Sequence, residues 1–207
     1  ASMTGMSAVF FSNSGCEANE AAIKFARLFA NSKKVTDPQI IVMENSFHGR
    51  TMATLSATGS RKVQAGFEPL LKGFIRVPFD DLDSIKKIAD QNKNVVAILV
   101  EPIQGEGGIR LPKNLSSYLN DLRKICDQNE WLLMLDEVQT GVGRTGRLYA
   151  FQYSDIQPDV LTSAKGLGSG VPIGATLVNE KITNIIKPGQ HGSTFGGNPL
   201  ACRAGNL

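Results

Sequence analysis

The chain has 207 residues, of which 42% are hydrophobic, and a formal net charge of +3 from 22 basic and 19 acidic side chains. This is enough for one sizeable core, while the scattered positive charges give no footprint for nucleic acid. No apolar run approaches the roughly 18 residues of a membrane span, and no secretory signal is visible at the start. Three widely separated cysteines argue against a disulfide framework or a zinc site. We therefore expect an intracellular protein of a reducing compartment, with no membrane and no nucleic-acid partner.

The apolar pattern predicts short strands that alternate with helices. In chain order, strands are predicted at 8–14, 39–45, 73–81, 95–102, 131–138, 159–165 and 173–181. Helices are predicted at 16–33, 82–92 and 114–130, and the stretch at 49–59 is either a helix or a loop. Continuously apolar strands separated by helices indicate an α/β fold, with a mostly parallel sheet covered on both faces. Ligands of such sheets bind at the carboxyl ends of the strands.

The two ends of the sequence suggest a piece of a longer protein. The first residue is not Met, and the final segment NPLACRAGNL reads as the middle of a helix. We therefore expect residues 1–207 to be a truncated domain.

The segment NSGCEAN at 13–19 sets small residues just ahead of a predicted helix. Unpaired amides at a helix start carry partial positive charge, so this segment is a natural seat for a phosphate. The alternative is a plain helix cap at Ser14, with Glu17 completing a capping box. The two interpretations can coexist.

The buried strand at 131–138 carries Asp136 and Glu137 near its end. An acid there could hold Mg²⁺ for a nucleotide, but that requires a G-x-x-x-x-G-K-[ST] loop, and the chain has no GK dipeptide. It could instead pair with a protonated ring nitrogen, or act only as a helix cap or surface ion pair. The following GVGRTG at 141–146 matches a dinucleotide-binding pattern, but neither the helix nor the strand-ending acid of that pattern follows, which favours a plain glycine loop.

The loop NSFHGRT at 45–51 combines an aromatic ring with a cation. Phe47 could stack on a planar ring and Arg50 could grip a carboxylate, although a core Phe and a surface Arg are the simpler alternatives. A nucleophilic pair of Cys16 and His48 is disfavoured, because a buried cysteine at a helix start is more often inert.

Two glycine-rich loops hold further polar residues. In EPIQGEGG at 101–108, Glu101 and Glu106 could form a glycosidase pair, but nothing else in the sequence supports sugar binding. In HGSTFGGNPLA at 191–201, Thr194 and backbone amides could bind an anion.

The segment LTSAKGLGSG places Lys165 after an apolar strand and among small residues. A lysine that reacts through its amine must be partly desolvated and must have neighbours that admit a substrate. Pyridoxal 5'-phosphate (PLP) needs such a lysine, an acid at its ring nitrogen, a helix start for its phosphate and an apolar group against its face. Lys165, Asp136, the segment 14–16 and Phe47 match those needs in kind.

Six motifs occur together in one order: NSGCEANEAAIKFAR, FHGRT, EPIQGEGG, LDEVQTGVGRTG, TSAKGLGSGVPIGA and HGSTFGGNPLA. Through them nearly the whole chain resembles the class III, ornithine-type aminotransferases of fold type I. The resemblance implies that residues 1–207 are the PLP-binding large domain. It also implies that an N-terminal segment and a C-terminal small domain of a typical member are absent.

The resemblance implies a role for each site residue. Lys165 would form the Schiff base and shuttle the proton, and Asp136 would pair with the ring nitrogen. Val138 and Phe47 would pack on the two ring faces, and Gln139 would bond the ring hydroxyl. The remaining roles are the phosphate site (Ser14, Gly15, Cys16 and, in the other subunit, Thr194) and substrate binding (Arg50 for the α-carboxylate, Glu106 as the gate that pairs with a distant arginine). Cys16 stands where Ala or Thr is commoner, which matters little for a backbone contact.

The implied activity is transfer of the terminal amino group of N-acetylornithine or ornithine to 2-oxoglutarate, within arginine metabolism. Succinylornithine, 4-aminobutyrate and diamines are alternative donors, and an inactive fragment that keeps the fold is another alternative. The resemblance further implies a homodimer with shared active sites, in the cytoplasm or, in a eukaryote, the mitochondrial matrix.

Overall fold

A single seven-stranded sheet forms the centre of the computed structural model, which describes residues 3–206. The strands are β1 (Ala8–Ser12), β2 (Gln39–Met43), β3 (Phe74–Val77), β4 (Val95–Val100), β5 (Leu132–Asp136), β6 (Val160–Ser163) and β7 (Gly174–Val178). The helices are α1 (Gly15–Ser32), α2 (Met52–Ala57), α3 (Arg61–Gln64), α4 (Leu82–Gln91), α5 (Leu115–Gln128), α6 (Glu180–Thr183) and α7 (Pro199–Gly205). Two 3₁₀ turns lie at Ala150–Tyr153 and Lys165–Gly168.

The strand order across the sheet is β1-β7-β6-β5-β4-β2-β3. The neighbours from β6 to β3 all run parallel, and β7 is antiparallel to both β6 and β1. The predicted α/β class with a mostly parallel sheet is confirmed. Because the parallel strands all point one way, the loops after β2, β4, β5 and β6 meet at one edge of the sheet.

Apolar side chains on both faces of the sheet explain why its central strands are continuously hydrophobic. On β5, Leu133 and Leu135 belong to one core cluster, which also holds the inner face of α5. Leu132 and Met134, which alternate with them, belong to the second cluster under α1. A strand that is buried on both faces carries apolar side chains on both, so its sequence is an unbroken apolar run.

The start of α1 fixes the chain where β1 ends. The hydroxyl of Ser14 accepts a hydrogen bond from the Glu17 amide at 3.2 Å, as an N-cap does. The Glu17 carboxylate accepts from the Asn13 amide at 2.9 Å rather than from that of Ser14. The predicted cap is therefore present, and its glutamate reaches back one residue further than a capping box requires.

Some local features agree with the sequence predictions and others differ from them. The stretch at 49–59, predicted as helix or loop, contains the short helix α2, and the helices α3 and α6 were not predicted. Each of those two has four residues, too few for a periodic pattern to emerge. After GVGRTG comes a 3₁₀ turn instead of the long helix of a dinucleotide site. Among residues 3–206, no helix is long and apolar enough to cross a membrane.

Candidate active site

A cavity of about 460 Å³ opens at the carboxyl ends of the central strands. Among the residues that line it are Ser14, Gly15, Cys16, Phe47, Arg50, Glu106, Asp136, Val138, Gln139 and Lys165. The topology brings these side chains together from the start of α1 and from the loops that follow β2, β4, β5 and β6. Of the residues predicted for the site, only Thr194 lies outside this cavity.

Asp136 is the last residue of β5, and its carboxylate is buried in a set of hydrogen-bond donors. Its Oδ2 accepts from Asn19 Nδ2 at 2.8 Å and from His48 Nδ1 at 2.7 Å. Its Oδ1 accepts from the amide of Val138 at 3.1 Å and lies 3.4 Å from the hydroxyl of Thr162. Because both oxygens accept hydrogen bonds, the orientation of this carboxylate is fixed.

His48 is fully buried and faces Asp136 through one ring nitrogen. We assign the hydrogen of that bond to Nδ1, with Oδ2 of Asp136 as its acceptor. The other nitrogen, Nε2, has no hydrogen-bond partner among the described residues. Because Nε2 has no partner in this part of the chain and the Sγ of Cys16 lies beside the hydroxyls of Thr51 and Thr54, Cys16 and His48 do not form a nucleophilic pair.

The start of α1 forms one wall of the cavity. Gly15 and Cys16 occupy the first turn, where amides have no acceptor within the helix. A Cβ atom built on Gly15 would lie 2.6 Å from Cγ1 of Val138, so only glycine lets the helix start approach the loop after β5 this closely. The wall therefore combines unpaired amides with the positive end of an 18-residue helix.

Cys16 is half-buried rather than buried as its sequence context suggested. Its Sγ lies 3.3 Å from the hydroxyls of both Thr51 and Thr54. Burial raises the pKa of the thiol, but hydrogen bonds from these two threonines and nearby amides outweigh burial and lower the pKa. The expectation that this thiol is buried is wrong, because the cavity exposes one side of the residue.

Lys165 follows β6 and begins a 3₁₀ turn with a left-handed backbone, at φ 47°. Its Nζ donates a hydrogen bond to Oε1 of Gln139, the residue predicted to bond the ring hydroxyl. The lysine is exposed, so the expected desolvation is not found. Its neighbours Gly166 and Gly168 have no side chains to cover it.

Two charged residues stand at the mouth of the cavity. Arg50 is exposed, and its guanidinium carbon lies 5.8 Å from the ring centroid of Phe47. Glu106 is also exposed, on the loop after β4. This leaves both charges available to a ligand from solvent.

Thr194 lies elsewhere, in a surface depression shared with Phe10, His191 and Phe195. It is exposed there. The sequence prediction assigns Thr194 to the phosphate site of the other subunit of a dimer. A position outside the cavity of its own chain is compatible with that assignment.

Four buried residues around the cavity received no role from the family resemblance: Asn19, His48, Glu101 and Thr162. Asn19 bridges the network, since its amide nitrogen donates to Asp136 and its oxygen accepts from Thr162 at 2.8 Å. Two of them were within reach of sequence reasoning, since His48 and Glu101 stand in motifs that follow predicted strands. Asn19 and Thr162 lie within regular elements and carry no such signal.

The family model described as "Aminotransferase class-III" matches residues 1–207. An acetylornithine aminotransferase of Nitrosomonas europaea is 64% identical over 203 residues, covering 98% of this chain and 51% of that protein. An ornithine aminotransferase of Toxoplasma gondii, whose solved structure is described as revealing partial occupancy of PLP at the active site, superposes with a TM-score of 0.94 at 39% identity, over 100% of this chain and 49% of that one. The acetylornithine aminotransferase of Elizabethkingia anophelis gives a TM-score of 0.83 at 38% identity, over 99% and 48%.

This chain thus spans about half the length of the relatives it matches. The match nevertheless runs over its full length, and the six motifs fall inside it. The chain belongs to the class III aminotransferases.

Proposed function

We propose that this chain is the cofactor-binding large domain of a PLP-dependent enzyme that transfers the terminal amino group of N-acetylornithine to 2-oxoglutarate. The observation that carries the proposal is the buried Asp136, held by three hydrogen-bond donors in the cavity that Lys165 also lines. A carboxylate so fixed suits a protonated ring nitrogen, and a lysine at the same cavity suits an aldehyde.

Three features of the cavity fit PLP. The unpaired amides at the start of α1 suit its phosphate. The glycine at position 15 leaves room that a Cβ atom would fill, since such an atom would lie 2.6 Å from Val138. Phe47 and Val138 both line the cavity and can contact a flat ring.

When bound, PLP supplies an electron sink for the negative charge that develops as a substrate carbon loses its proton. Asp136 would hold the proton of the ring nitrogen, and its three donors keep the carboxylate from turning away. Lys165, as a neutral amine, would take the proton from the substrate carbon that bears the transferred amino group. It would then deliver this proton to the cofactor carbon that is bonded to the same nitrogen. Gln139 would orient the lysine through the hydrogen bond that joins them.

The substrate charges match the residues at the cavity mouth. Arg50 would bind the α-carboxylate, because a guanidinium grips a carboxylate with two parallel hydrogen bonds. Glu106 would pair with an arginine outside this chain and thereby admit 2-oxoglutarate or the amino donor in turn. N-acetylornithine is the first choice of donor because acetylornithine aminotransferases are among the relatives. Ornithine is the second candidate, favoured by the Toxoplasma relative.

A homodimer in the cytoplasm is part of the proposal. The exposed Thr194 would complete the phosphate site of a second subunit. Phe195 and Leu200 beside it are 70% and 75% exposed, which supports a protein surface that another copy covers. The place in arginine biosynthesis follows from the proposed donor.

The first experiment is a visible absorption spectrum of the chain with added PLP, followed by borohydride reduction and peptide mapping. We expect an absorption band that is absent from free PLP and a reduced adduct confined to Lys165. Lys165→Ala should lose both, whereas Lys86→Ala, which removes an exposed lysine of α4, should keep both. Adducts spread over surface lysines would refute a PLP site in this chain.

The amine donor is decided by adding N-acetylornithine, ornithine or 4-aminobutyrate to the PLP-loaded chain. We expect N-acetylornithine to convert the band fastest. A faster conversion by ornithine or 4-aminobutyrate would reassign the donor and leave the PLP site intact.

A further inference from the structure

Glu101 is a buried carboxyl group that bridges two loops of the cavity. It follows β4 directly and is 4% exposed. Its Oε1 accepts the amide of Phe47 at 2.8 Å, and its Oε2 accepts the amide of Gly105 at 3.3 Å. One side chain therefore holds the backbone of the loop after β2 and the backbone of the loop after β4.

These two loops carry different parts of the proposed site. The loop after β2 holds Phe47 and Arg50, and the loop after β4 holds Glu106. Besides Glu101, the loops touch through backbone: a Cβ atom built on Gly107 would lie 2.4 Å from the carbonyl oxygen of Asn45. The backbones of the two loops therefore pack closely at Gly107, where a side chain would not fit.

Gln104 adds a second bond between the same loops. Its Nε2 donates to the carbonyl of Glu44 at 2.8 Å. Its own backbone pairs with Arg110 through two hydrogen bonds of 3.0 Å, which close the loop after β4 on itself. The loop that carries Glu106 is thus a compact unit, attached to the loop of Phe47 by Gln104 and Glu101.

Burying an ionisable side chain such as that of Glu101 costs free energy, which a side chain needed only for packing would avoid. Burial raises the pKa of Glu101 to about 7, His48 opposes the rise and Asp136 adds to it. A glutamine would have similar volume and no charge to bury. Two accepting oxygens, however, are what an ionised carboxylate offers and an amide does not.

We propose that Glu101 is a positioning residue that couples the loop of Phe47 to the loop of Glu106, so that the ring contact and the substrate gate are set together. The functional half of this inference rests on the proposed function. The structural half concerns the two amides alone and does not require PLP.

The structural half is tested by hydrogen exchange of backbone amides in the chain without PLP. In Glu101→Ala we expect the Phe47 and Gly105 amides to exchange about tenfold faster or more, and in Glu101→Gln at least one of them. Unchanged exchange at both amides in a folded Glu101→Gln would overturn the coupling, even if Glu101→Ala fails to fold.

Glu137→Gln is the matched control. Glu137 is equally buried and accepts the amides of Ala150 and Phe151 at 2.6 and 2.8 Å, on a different loop. We expect faster exchange at those two amides and none of the change at Phe47 and Gly105. Equal changes at all four amides would mean general loosening rather than a specific bridge.

The functional half is tested by the pH dependence of PLP binding. Glutamine imitates the protonated carboxyl, so the ratio of PLP dissociation constants, Glu101→Gln over wild type, should be several-fold at pH 8 and approach one at pH 6. The charges of His48 and Asp136 act on Glu101, and both residues are present in the two proteins. If this ratio of dissociation constants did not vary with pH, Glu101 would have only a structural role. If the wild type does not bind PLP, the proposed function fails for this chain, while the exchange result still decides the coupling.

Discussion

His48 Nδ1 lies 2.7 Å from Asp136 Oδ2, and the two side chains are 0% and 3% exposed. The two residues are 88 positions apart in the sequence. Because both side chains are buried, solvent does not compete for this hydrogen bond. His48 therefore orients the acid that is proposed to face the cofactor ring.

Replacing His48 by Phe should weaken PLP binding by about tenfold to a hundredfold. The ring volume is retained, but Asp136 loses one hydrogen bond to a charged group, worth about 1.5–3 kcal/mol. PLP titration followed by absorbance measures the change. The control is His191→Phe, because the second histidine of the chain packs against Phe10 with 4.6 Å between ring centroids and lies outside the cavity. Equal losses in both variants would contradict an orienting role for His48.

Gly15→Ala should destabilise the fold by about 1–3 kcal/mol, the usual cost of overpacking. The new methyl group would meet Val138, and the start of α1 would have to move away from the loop after β5. Urea unfolding measures the loss of stability. PLP affinity should fall as well, because the start of α1, which is proposed to bind the phosphate, would shift.

Two variants check that steric cause. Gly192→Ala adds the same methyl group where no atom lies within 4 Å, and it should leave stability unchanged. Adding Val138→Ala to Gly15→Ala removes the obstructing methyl groups and should recover part of the lost stability. No recovery in the double variant would mean that the cost arises elsewhere.

The sheet could be predicted because its strands obey a local rule. A strand such as β4, VVAILV, is buried at all six positions, and its apolar run is visible in the sequence without knowledge of its neighbours. Helix α1 was equally visible, since its apolar residues recur at helical spacing. The loops after these elements then pointed to the site, because parallel strands deliver their ends to one edge.

The hydrogen-bond network beneath the site could not be predicted in the same way. Asn19 reads as one polar residue in an amphipathic helix, and it meets Asp136 only because α1 packs across β5 and β6. Thr162 stands directly opposite Asp136 in the register between β5 and β6, a pairing that no local pattern encodes. The exposure of Lys165 was also missed, because small neighbours can admit a substrate or simply leave a side chain in solvent.

Asp159→Asn should lower the free energy of unfolding by about 3 kcal/mol, the usual cost of breaking a buried ion pair. Asp159 precedes β6 at the end of the sheet opposite the cavity. Its carboxylate lies 2.7 Å from Arg123 Nη1 and 2.8 Å from Lys181 Nζ, and it accepts the amide of Leu133 at 2.8 Å. Urea unfolding measures the loss. Asp83→Asn, which removes an exposed partner of Lys86, should change stability within error.

The stabilisation by Asp159 should also disappear in acid. Burial raises the pKa of this carboxyl, but Arg123, Lys181 and the Leu133 amide outweigh burial and hold the pKa below its ordinary value of 3.8. A carboxyl with a depressed folded-state pKa contributes its full stability above the unfolded-state pKa and loses it as pH falls through the folded-state pKa. The difference in unfolding free energy between wild type and Asp159→Asn should therefore be constant from about pH 7 to 5 and shrink below about pH 4. Urea unfolding across that pH range measures this difference. A difference that stayed constant below pH 4 would show that Asp159 stabilises the fold through packing and not through its charge.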